Sequence, residues 1–277
     1  MPRLWPVTLV LSVLIWIIAT TGGREIFVKE VLGEAFDSQA EHFLHGNVDV
    51  DGDAIDSEAM IVNGKPRMYF GPFPALLRIP LNFVYPAGRG SWSRISGFLA
   101  GELALVAFAG LISRALSVSS LSPSVRNWLG NACLIGFVFS TPVLFLLGNL
   151  TIYSEPILWG LAWSLSALFF AWRSDEAYGR TLTISLFGFS LSAACALVSR
   201  VTYGGPLLLI ALFLTIQLLR KKQFRLLTPL LIPIVAGVFL HCLVSYARFG
   251  TFTGVRFDYY INSVHREVAH KYGMFNL

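Results

Sequence analysis

The stretch ISGFLAGELALVAFAGLISRAL, residues 95–116, decides the fold because it is apolar almost throughout. Its charged side chains are Glu102 and Arg114. A helix needs about 20 predominantly apolar residues to cross the hydrocarbon core of a bilayer, and this run meets that length. We therefore predict a transmembrane helix here, with Glu102 inside its membrane-embedded part.

Six further apolar runs occur along the chain, so the predicted spans are 4–21, 95–116, 128–150, 152–172, 181–199, 206–219 and 226–247. Each is expected to be helical, because a segment in lipid must satisfy its own backbone polar groups. The 277 residues are 55% hydrophobic and 13% charged. This composition excludes a soluble enzyme and a disordered chain. The predicted fold class is an all-α polytopic membrane protein with about seven transmembrane helices.

Lysine and arginine in alternate short loops predict the orientation, because basic loops stay in the cytoplasm. The basic loop residues are Arg126, Arg173, Arg180, Arg220, Lys221, Lys222 and Arg225. They place the N-terminus inside and the C-terminus outside. Cytoplasmic loop charge accounts for the net +5 without nucleic acid. A cleaved signal peptide is the alternative for the first span.

This topology predicts four regions. Residues 1–21 form the first helix, 22–94 an outer loop, 95–247 a six-helix bundle, and 248–277 an outer tail. Residues 22–94 are called the long loop below, and they hold ten of the sixteen acidic residues. An elaborate loop on a mostly membrane-embedded chain is where we expect the chemistry.

The long loop contains signals for two helices and a hairpin. Residues 33–44 carry an apolar stripe with helical spacing, which predicts a helix on the membrane surface with its apolar face down. Asp37 borders that stripe and is expected where water meets the headgroups. Asn63-Gly64 between two extended runs predicts a hairpin. Residues 75–84 are too short to span and predict an interfacial or re-entrant helix around Arg78.

Acidic residues between the predicted helix at 33–44 and the hairpin resemble a calcium loop at first sight. Counting from Asp49, however, the sixth and twelfth positions hold Ala54 and Met60, where such a loop needs Gly and Glu. A looser cation site at Asp51, Asp53 and Asp56 is one alternative, and a solvated turn is the other.

Four ionisable residues lie in the predicted outer halves of the spans: Glu102, Glu155, Arg200 and His241. Ionisable groups inside a membrane are costly and mark functional sites by default. Their grouping predicts a polar cavity that opens beneath the long loop. The structural alternative is a helix-start carboxylate at Glu155 and paired buried groups at Glu102 and His241.

Several short motifs resemble the GT-C membrane glycosyltransferases. They are AFDSQAEHFLHG (35–46), NGKPRMYFGPFPALLRIP (63–80), YSEP (153–156), SRVT (199–202) and RFG (248–250). The resemblance implies a loop of two interfacial helices with a catalytic carboxylate in the first, and a sugar donor carried on polyprenyl phosphate. By position, Asp37 is the implied catalytic carboxylate, and Arg78 and Arg200 are implied to hold the carrier phosphate.

The same resemblance makes Glu155, Glu102 and His241 further candidates for contact with the substrate or the lipid phosphate. Two departures stand out. The chain lacks the adjacent Asp-Glu pair of many members, and relatives usually continue with more helices, so the alternatives are the shared core of about seven helices alone and a truncated member. No cofactor is assigned, although a divalent cation is a candidate, and no residue is assigned as a metal ligand.

The sequence thus predicts a multi-pass protein of a bacterial plasma (inner) membrane. Its expected activity is transfer of a sugar from a polyprenyl-phosphate carrier to an acceptor outside the membrane. The acceptor is an envelope glycan, lipid or protein. The alternatives are a non-catalytic or truncated protein of the same fold and a lipid-carrier transporter.

Overall fold

The computed structural model describes residues 2–252, 255 and 257–272, and the chain is 74% helical. The α-helices are α1 Trp5–Thr20, α2 Ala35–Leu44, α3 Gly52–Ile55, α4 Phe73–Val84, α5 Ser93–Ser117, α6 Pro123–Ser140, α7 Val143–Gly148, α8 Ser154–Asp175, α9 Gly179–Ser199, α10 Val201–Arg220, α11 Leu227–Phe249 and α12 Ser263–Tyr272. Two short strands, β1 Met60–Val62 and β2 Lys65–Arg67, pair antiparallel.

Four helices in the described part of the chain are long and apolar enough to cross a membrane. They are Ser93–Ser117, Gly179–Ser199, Val201–Arg220 and Phe224–Phe249, and they match the predicted spans 95–116, 181–199, 206–219 and 226–247. The third of these begins five residues before its predicted start (201 against 206), so Pro206 lies inside the helix, where it removes one backbone hydrogen bond. These helices are the basis for treating the chain as a membrane protein.

The predicted span at 128–150 is wrong as a single helix. It is divided into α6 and α7 by Thr141 and Pro142. Proline disfavours helical dihedrals in the residue before it, and Thr141 is extended, with φ −109° and ψ 167°. Apolar composition alone did not reveal this break.

The first apolar segment packs into the bundle. Helix α1 has 16 residues, and its Leu11 and Ile15 are buried in a core that also contains Ala104 of α5 and Leu134 of α6. Residues 152–172, predicted as a span, lie mostly within α8. The bundle core is therefore built from several helices that flank α5.

The long loop has a hydrophobic core of its own. Ala35, Phe36 and Ala40 of α2 pack with Met68 and Phe70, which follow the hairpin. The prediction that α2 lies apolar side down on the membrane is therefore wrong for most of its stripe, because other parts of the loop cover that face. Leu44, at the end of the predicted stripe, is 67% exposed.

The predicted hairpin is confirmed. Asn63 and Gly64 both have positive φ, 53° and 77°, which is the backbone of a type I′ turn. Beyond the hairpin, Gly71 lies directly against the carbonyls of Val198 and Ser199 at the end of α9, where a Cβ would approach Ser199 O within 2.0 Å. This contact places the loop over one end of the bundle, here called the loop end.

Helix α4 follows Gly71 and enters the core at its start. Phe73, Ala75 and Arg78 are buried, whereas Phe83 and Val84 at its end are 89% and 81% exposed. The predicted helix at 75–84 is thus present, two residues longer at its start.

The predicted tail, 248–277, returns to the hairpin. Tyr260 forms a β-bridge with Met60, and the Ile261 N–H donates to the Ala59 carbonyl. Helix α12 follows, and residues 273–277 of the predicted tail lie outside the described residues.

Candidate active site

Arg78 is the centre of a buried cluster that joins the long loop to the bundle. Its Nη2 donates to Glu155 Oε2 of α8 at 2.8 Å, and its Nε lies 3.6 Å from Asp37 Oδ2 of α2. All three side chains are at most 1% exposed. Three residues that the sequence proposed separately therefore meet in one place, called the Arg78 cluster below.

The Glu155 carboxylate is fixed from its other side as well. Ser96 Oγ of α5 donates to Glu155 Oε1 at 2.5 Å, and Trp159 Nε1 donates to Ser96 Oγ at 2.8 Å. Glu155 stands in the first turn of α8, where the helix dipole favours a negative charge. Helix α8 and helix α5 thus hold this carboxylate in one orientation.

Asp37 lies on the loop side of Arg78. Burial raises the pKa of its carboxyl above the ordinary value of 3.8, although Arg78, the Asn82 side chain and the Gly90 backbone N–H each favour the charged form. With Glu155 also present, the cluster contains two carboxyl groups and one guanidinium. A buried carboxyl group with a raised pKa is a better proton acceptor than an exposed one.

The expected position of Asp37 at the boundary of water and headgroups is wrong. The whole first half of α2, from Ala35 to Ala40, is buried, because α4 packs against it. Glu41, in the second half of this helix, faces outward, and its side chain is 50% exposed and pairs with Arg89.

The cluster also changes the picture of Arg78 as a phosphate ligand. Nε and Nη2 form one side of the guanidinium, the side suited to bind two phosphate oxygens. In Arg78 this side faces Asp37 and Glu155. The structure therefore engages Arg78 with carboxylates rather than leaving it open for an external anion.

The other three predicted residues lie elsewhere. Glu102 Oε2 accepts a hydrogen bond of 2.6 Å from Ser12 Oγ of α1. Arg200 is an extended, half-buried residue between α9 and α10, and His241 is half-buried in α11. No hydrogen bond or ion pair in the described ranges joins any of them to the Arg78 cluster.

Arg248 is a site residue that the residue-by-residue reading did not single out. It lies in the last turn of α11, is 3% exposed, and its Nη1 donates to the Phe70 carbonyl at 2.7 Å. Its Nε and Nη2 have no hydrogen-bond partner among the described residues. Arg78 also has two nitrogens without a hydrogen-bond partner, Nε and Nη1, but two carboxylates lie within 3.6 Å of its guanidinium, whereas the partnerless side of Arg248 is buried without a paired carboxylate among the described residues.

The surroundings of Arg248 do not supply a carboxylate for that open side. Arg67 Nη1 donates to the carbonyls of Ala247 and Arg248, and its Nε pairs with Asp49 Oδ1 at 3.1 Å. The second oxygen of Asp49 pairs with Lys65 Nζ at 3.0 Å, and these contacts hold the pKa of Asp49 below its usual value against the effect of burial. Both oxygens of Asp49 thus pair with other cations, Arg67 and Lys65, rather than with Arg248.

Two tyrosines close the loop beside this region. Tyr69 and Tyr260 both donate to Glu58 Oε2, at 2.9 and 2.8 Å. Phe70, which follows Tyr69, also packs edge-on against Tyr153 at the start of α8.

A cation site at the acidic stretch finds no support in the observed contacts. Asp51 Oδ2 accepts a hydrogen bond of 2.7 Å from Ser38, which lowers the pKa of the Asp51 carboxyl, and Asp51 Oδ1 lies 3.3 Å from His42. Within the described ranges, no group of three His, Cys, Asp or Glu side chains is placed to hold a metal ion.

Comparisons with protein-family models, curated proteins and solved structures found no match to this chain. The fold and the site define a helical protein suited to a membrane, with a carboxyl–guanidinium–carboxyl cluster under its longest loop. Any more particular function is inferred from these residues.

Proposed function

We propose that this protein is an integral-membrane glycosyltransferase that moves a sugar from a polyprenyl-phosphate carrier to an acceptor outside the membrane. The observation that carries the proposal is the meeting of Asp37, Arg78 and Glu155 in one buried cluster. These residues come from three of the motifs that resemble GT-C enzymes, and they are far apart in sequence. Asp37 combines a raised pKa with a position next to a buried cation.

The proposed reaction follows from the chemistry of these groups. Asp37 takes the proton from an acceptor hydroxyl, and the acceptor oxygen then bonds to the anomeric carbon of the sugar. The bond between that carbon and the carrier phosphate breaks, and the phosphate leaves with the electron pair. Attack from the opposite face inverts the anomeric centre. Arg78 orients Asp37 and limits the accumulation of negative charge in the cluster.

The carrier phosphate is assigned to Arg248 rather than to Arg78. The carrier phosphate, which becomes the leaving group, must be bound by hydrogen-bond donors that have no other partner when the carrier binds. Arg248 has a free side of two N–H groups, whereas the same side of Arg78 faces carboxylates. Arg200 follows the Ser199 carbonyl that touches Gly71, so it is adjacent to the same loop segment and keeps its proposed role as a second cation.

Access to Asp37 requires part of the loop to move. The turn at Gly90, whose N–H faces Asp37, lies between α4 and α5 and has φ +82° at Gly90. Displacing this turn exposes Asp37 without disturbing the hydrogen bonds of Glu155. We therefore place the acceptor entrance at this turn.

The proposed topology is seven membrane-spanning segments with the N-terminus in the cytoplasm of a bacterial cell and the long loop outside the plasma membrane. The test is a pair of reporters, one inserted after Asp53 and one after Lys222, each active on one side of the membrane. The first is expected to report the exterior and the second the cytoplasm. Reports from the same side would exclude the topology.

A second candidate function is structural. Complete burial of all three members of the Arg78 cluster also suits a clamp that holds the long loop on the bundle of a non-catalytic protein. A lipid-carrier transporter is a separate alternative. We prefer sugar transfer to it because the Arg78 cluster lies at the loop end of the bundle. The experiment below separates enzyme from clamp.

The decisive experiment compares Asp37→Asn with Glu41→Gln in protein reconstituted into nanodiscs with a polyprenyl-phosphate sugar. Both substitutions remove one charge from α2, but only Asp37 belongs to the cluster. A general base contributes about 100- to 10,000-fold, so Asp37→Asn is expected to fold, bind the carrier and lose transfer by that range. Glu41→Gln is expected to retain transfer.

The outcomes separate the two functions. Transfer by Asp37→Asn at the unmodified rate would remove Asp37 from the chemistry. Absence of transfer by the unmodified protein across a panel of polyprenyl-phosphate sugars, together with a lowered melting temperature of Asp37→Asn, would favour the clamp.

A further inference from the structure

A groove of about 1020 Å³ lies at the end of the bundle opposite the long loop. Helices α9 and α11 run parallel, because the C-terminal end of each meets the loop, at Gly71 and Phe70 respectively. Their N-terminal ends line the groove together with residues 222–226 of the connection before α11. At 1.5 Å per residue, Phe187, the lining residue of α9 nearest the loop end, is about 18 Å along the helix from Ser199.

The walls of the groove are mostly apolar and partly exposed. Leu182 and Phe187 of α9 face Phe224 and Ile232 across it. Phe187, Phe224 and Ile232 are 48%, 61% and 61% exposed. Contact of such an apolar surface with hydrocarbon is more favourable in free energy than contact with water.

The Ser190 side chain of α9 contacts α11 beside the groove, near Pro233 inside that helix. The Ser190 hydroxyl donates to the Leu230 carbonyl at 2.5 Å and accepts from the Ile234 N–H at 3.2 Å. It thus occupies the place of a helical hydrogen bond next to Pro233. A side chain inserted into the ladder at a proline bends a helix. Closer to the loop end, Gly237 packs directly on Ala194, so α9 and α11 are in contact both there and at Ser190.

The mouth of the groove is positively charged. Lys222 and Arg225 line it, and neither forms an ion pair with a described residue. No Asp or Glu is among the lining residues. The N-termini of α9 and α11 lie at the same end, and neither is capped by a side chain, so both helix dipoles add to the positive potential.

We propose that this groove is a binding site for one anionic phospholipid of the surrounding bilayer. The phosphate of the headgroup lies between Lys222 and Arg225, and an acyl chain follows Leu182, Phe187 and Ile232. Apolar walls with paired cations at one end match the two parts of such a lipid. The site is separate from the Arg78 cluster, and it holds whether or not the protein transfers sugar.

The test is native mass spectrometry of the full-length protein, released from detergent after incubation with equal amounts of phosphatidylglycerol and phosphatidylcholine. These lipids differ in headgroup charge but share acyl chains. One phosphatidylglycerol is expected to remain bound in preference to phosphatidylcholine. Lys222→Gln combined with Arg225→Gln is expected to reduce that preference by roughly tenfold or more, at about tenfold per 1.4 kcal/mol.

A matched control is available in the same connection. Arg220→Gln combined with Lys221→Gln also removes two positive charges. These two residues directly precede Lys222, but their side chains do not line the groove. This control is expected to keep the preference. Equal retention of both lipids by the unmodified protein, or equal losses in the two double variants, would overturn the proposal.

A third variant tests the apolar part. Thr183→Trp places a large ring at an exposed groove position without changing charge. It is expected to reduce retention of phosphatidylglycerol while Lys222 and Arg225 remain. Undiminished retention would show that the acyl chain does not occupy the groove, and would overturn the site as described.

Discussion

Arg78 Nη2 of α4 and Glu155 Oε2 of α8 form a 2.8 Å ion pair from which solvent is excluded. This contact joins the long loop to the bundle. The favourable attraction in such a pair offsets the cost of removing both charges from water only while both partners are present. The pair is therefore a position where a single substitution has a large effect.

Arg78→Met is expected to destabilise the protein by about 3–5 kcal/mol, because it leaves Asp37 and Glu155 buried without a cation. The measurement is the free energy of unfolding in detergent. Arg89→Met is the control, since Arg89 pairs with Glu41 at the surface with both side chains at least 40% exposed. Exposed pairs contribute about 0–1 kcal/mol. Similar losses in both variants would contradict the buried cluster.

The raised pKa of Asp37 predicts a pH dependence of stability. The folded protein holds the Asp37 proton more strongly than the unfolded chain does, so its contribution is present below the ordinary pKa of 3.8. It is lost as pH rises from 3.8 through the raised folded value. Asp37→Asn cannot ionise, so stability of this variant is expected to fall less with rising pH over that window.

The measurement is the melting temperature at a series of pH values from about pH 4 upward. Other carboxyl groups, such as Asp49 and Asp51 with lowered pKa values, contribute the same slope to both proteins. The difference between the two curves therefore isolates Asp37. Parallel curves would show that the Asp37 carboxyl has an ordinary pKa.

Local features of the fold were predictable because their causes are local. Apolar length identified four helices suited to a membrane, periodicity identified α2, an apolar run too short to span identified α4, and Asn63-Gly64 identified the hairpin turn. Pro142 was a visible signal for the break between α6 and α7, but a reading based on hydropathy passed over it. Seven spans and their orientation stay predictions.

The composition of the site was predictable, but its geometry was not. Asp37, Arg78 and Glu155 were each proposed from motif or position, yet Arg78 and Glu155 are 77 residues apart in sequence. Periodicity shows which face of α2 is apolar but not what packs on the other faces, so it placed Asp37 at the boundary of water and headgroups. The spacing of Arg78 and Asn82, four residues apart on α4, was a local signal that both face the same neighbour.

Gly71 predicts a second sensitive contact between the loop and the bundle. A Cβ at this position would lie 2.0 Å from the Ser199 carbonyl oxygen and 2.5 Å from that of Val198. Backbone atoms cannot rotate away, so Gly71→Ala is expected to cost about 1–3 kcal/mol of stability, as overpacked sites do. Gly52→Ala is the control, because nothing lies within 4 Å of its added Cβ. Equal unfolding free energies in the two variants would contradict the close approach.

Arg248 provides the last prediction, which concerns recognition of the carrier. Two guanidinium N–H groups without partners in the described chain match two oxygens of one phosphate. Arg248→Lys keeps a positive charge and a donor for the Phe70 carbonyl but loses the paired geometry. A charge-assisted hydrogen bond contributes about 1.5–3 kcal/mol. Binding of a polyprenyl phosphate, measured by calorimetry, is therefore expected to weaken by roughly tenfold or more.

The uncharged polyprenol is the matched ligand for this measurement, and its binding is expected to stay unchanged in Arg248→Lys. Arg180→Lys is the matched variant, because Arg180 is exposed near the opposite end of α9. It is expected to bind both ligands normally. If Arg248→Lys weakens polyprenol and polyprenyl phosphate equally, Arg248 acts through packing against Phe70, and the phosphate must be held by another cation such as Arg200.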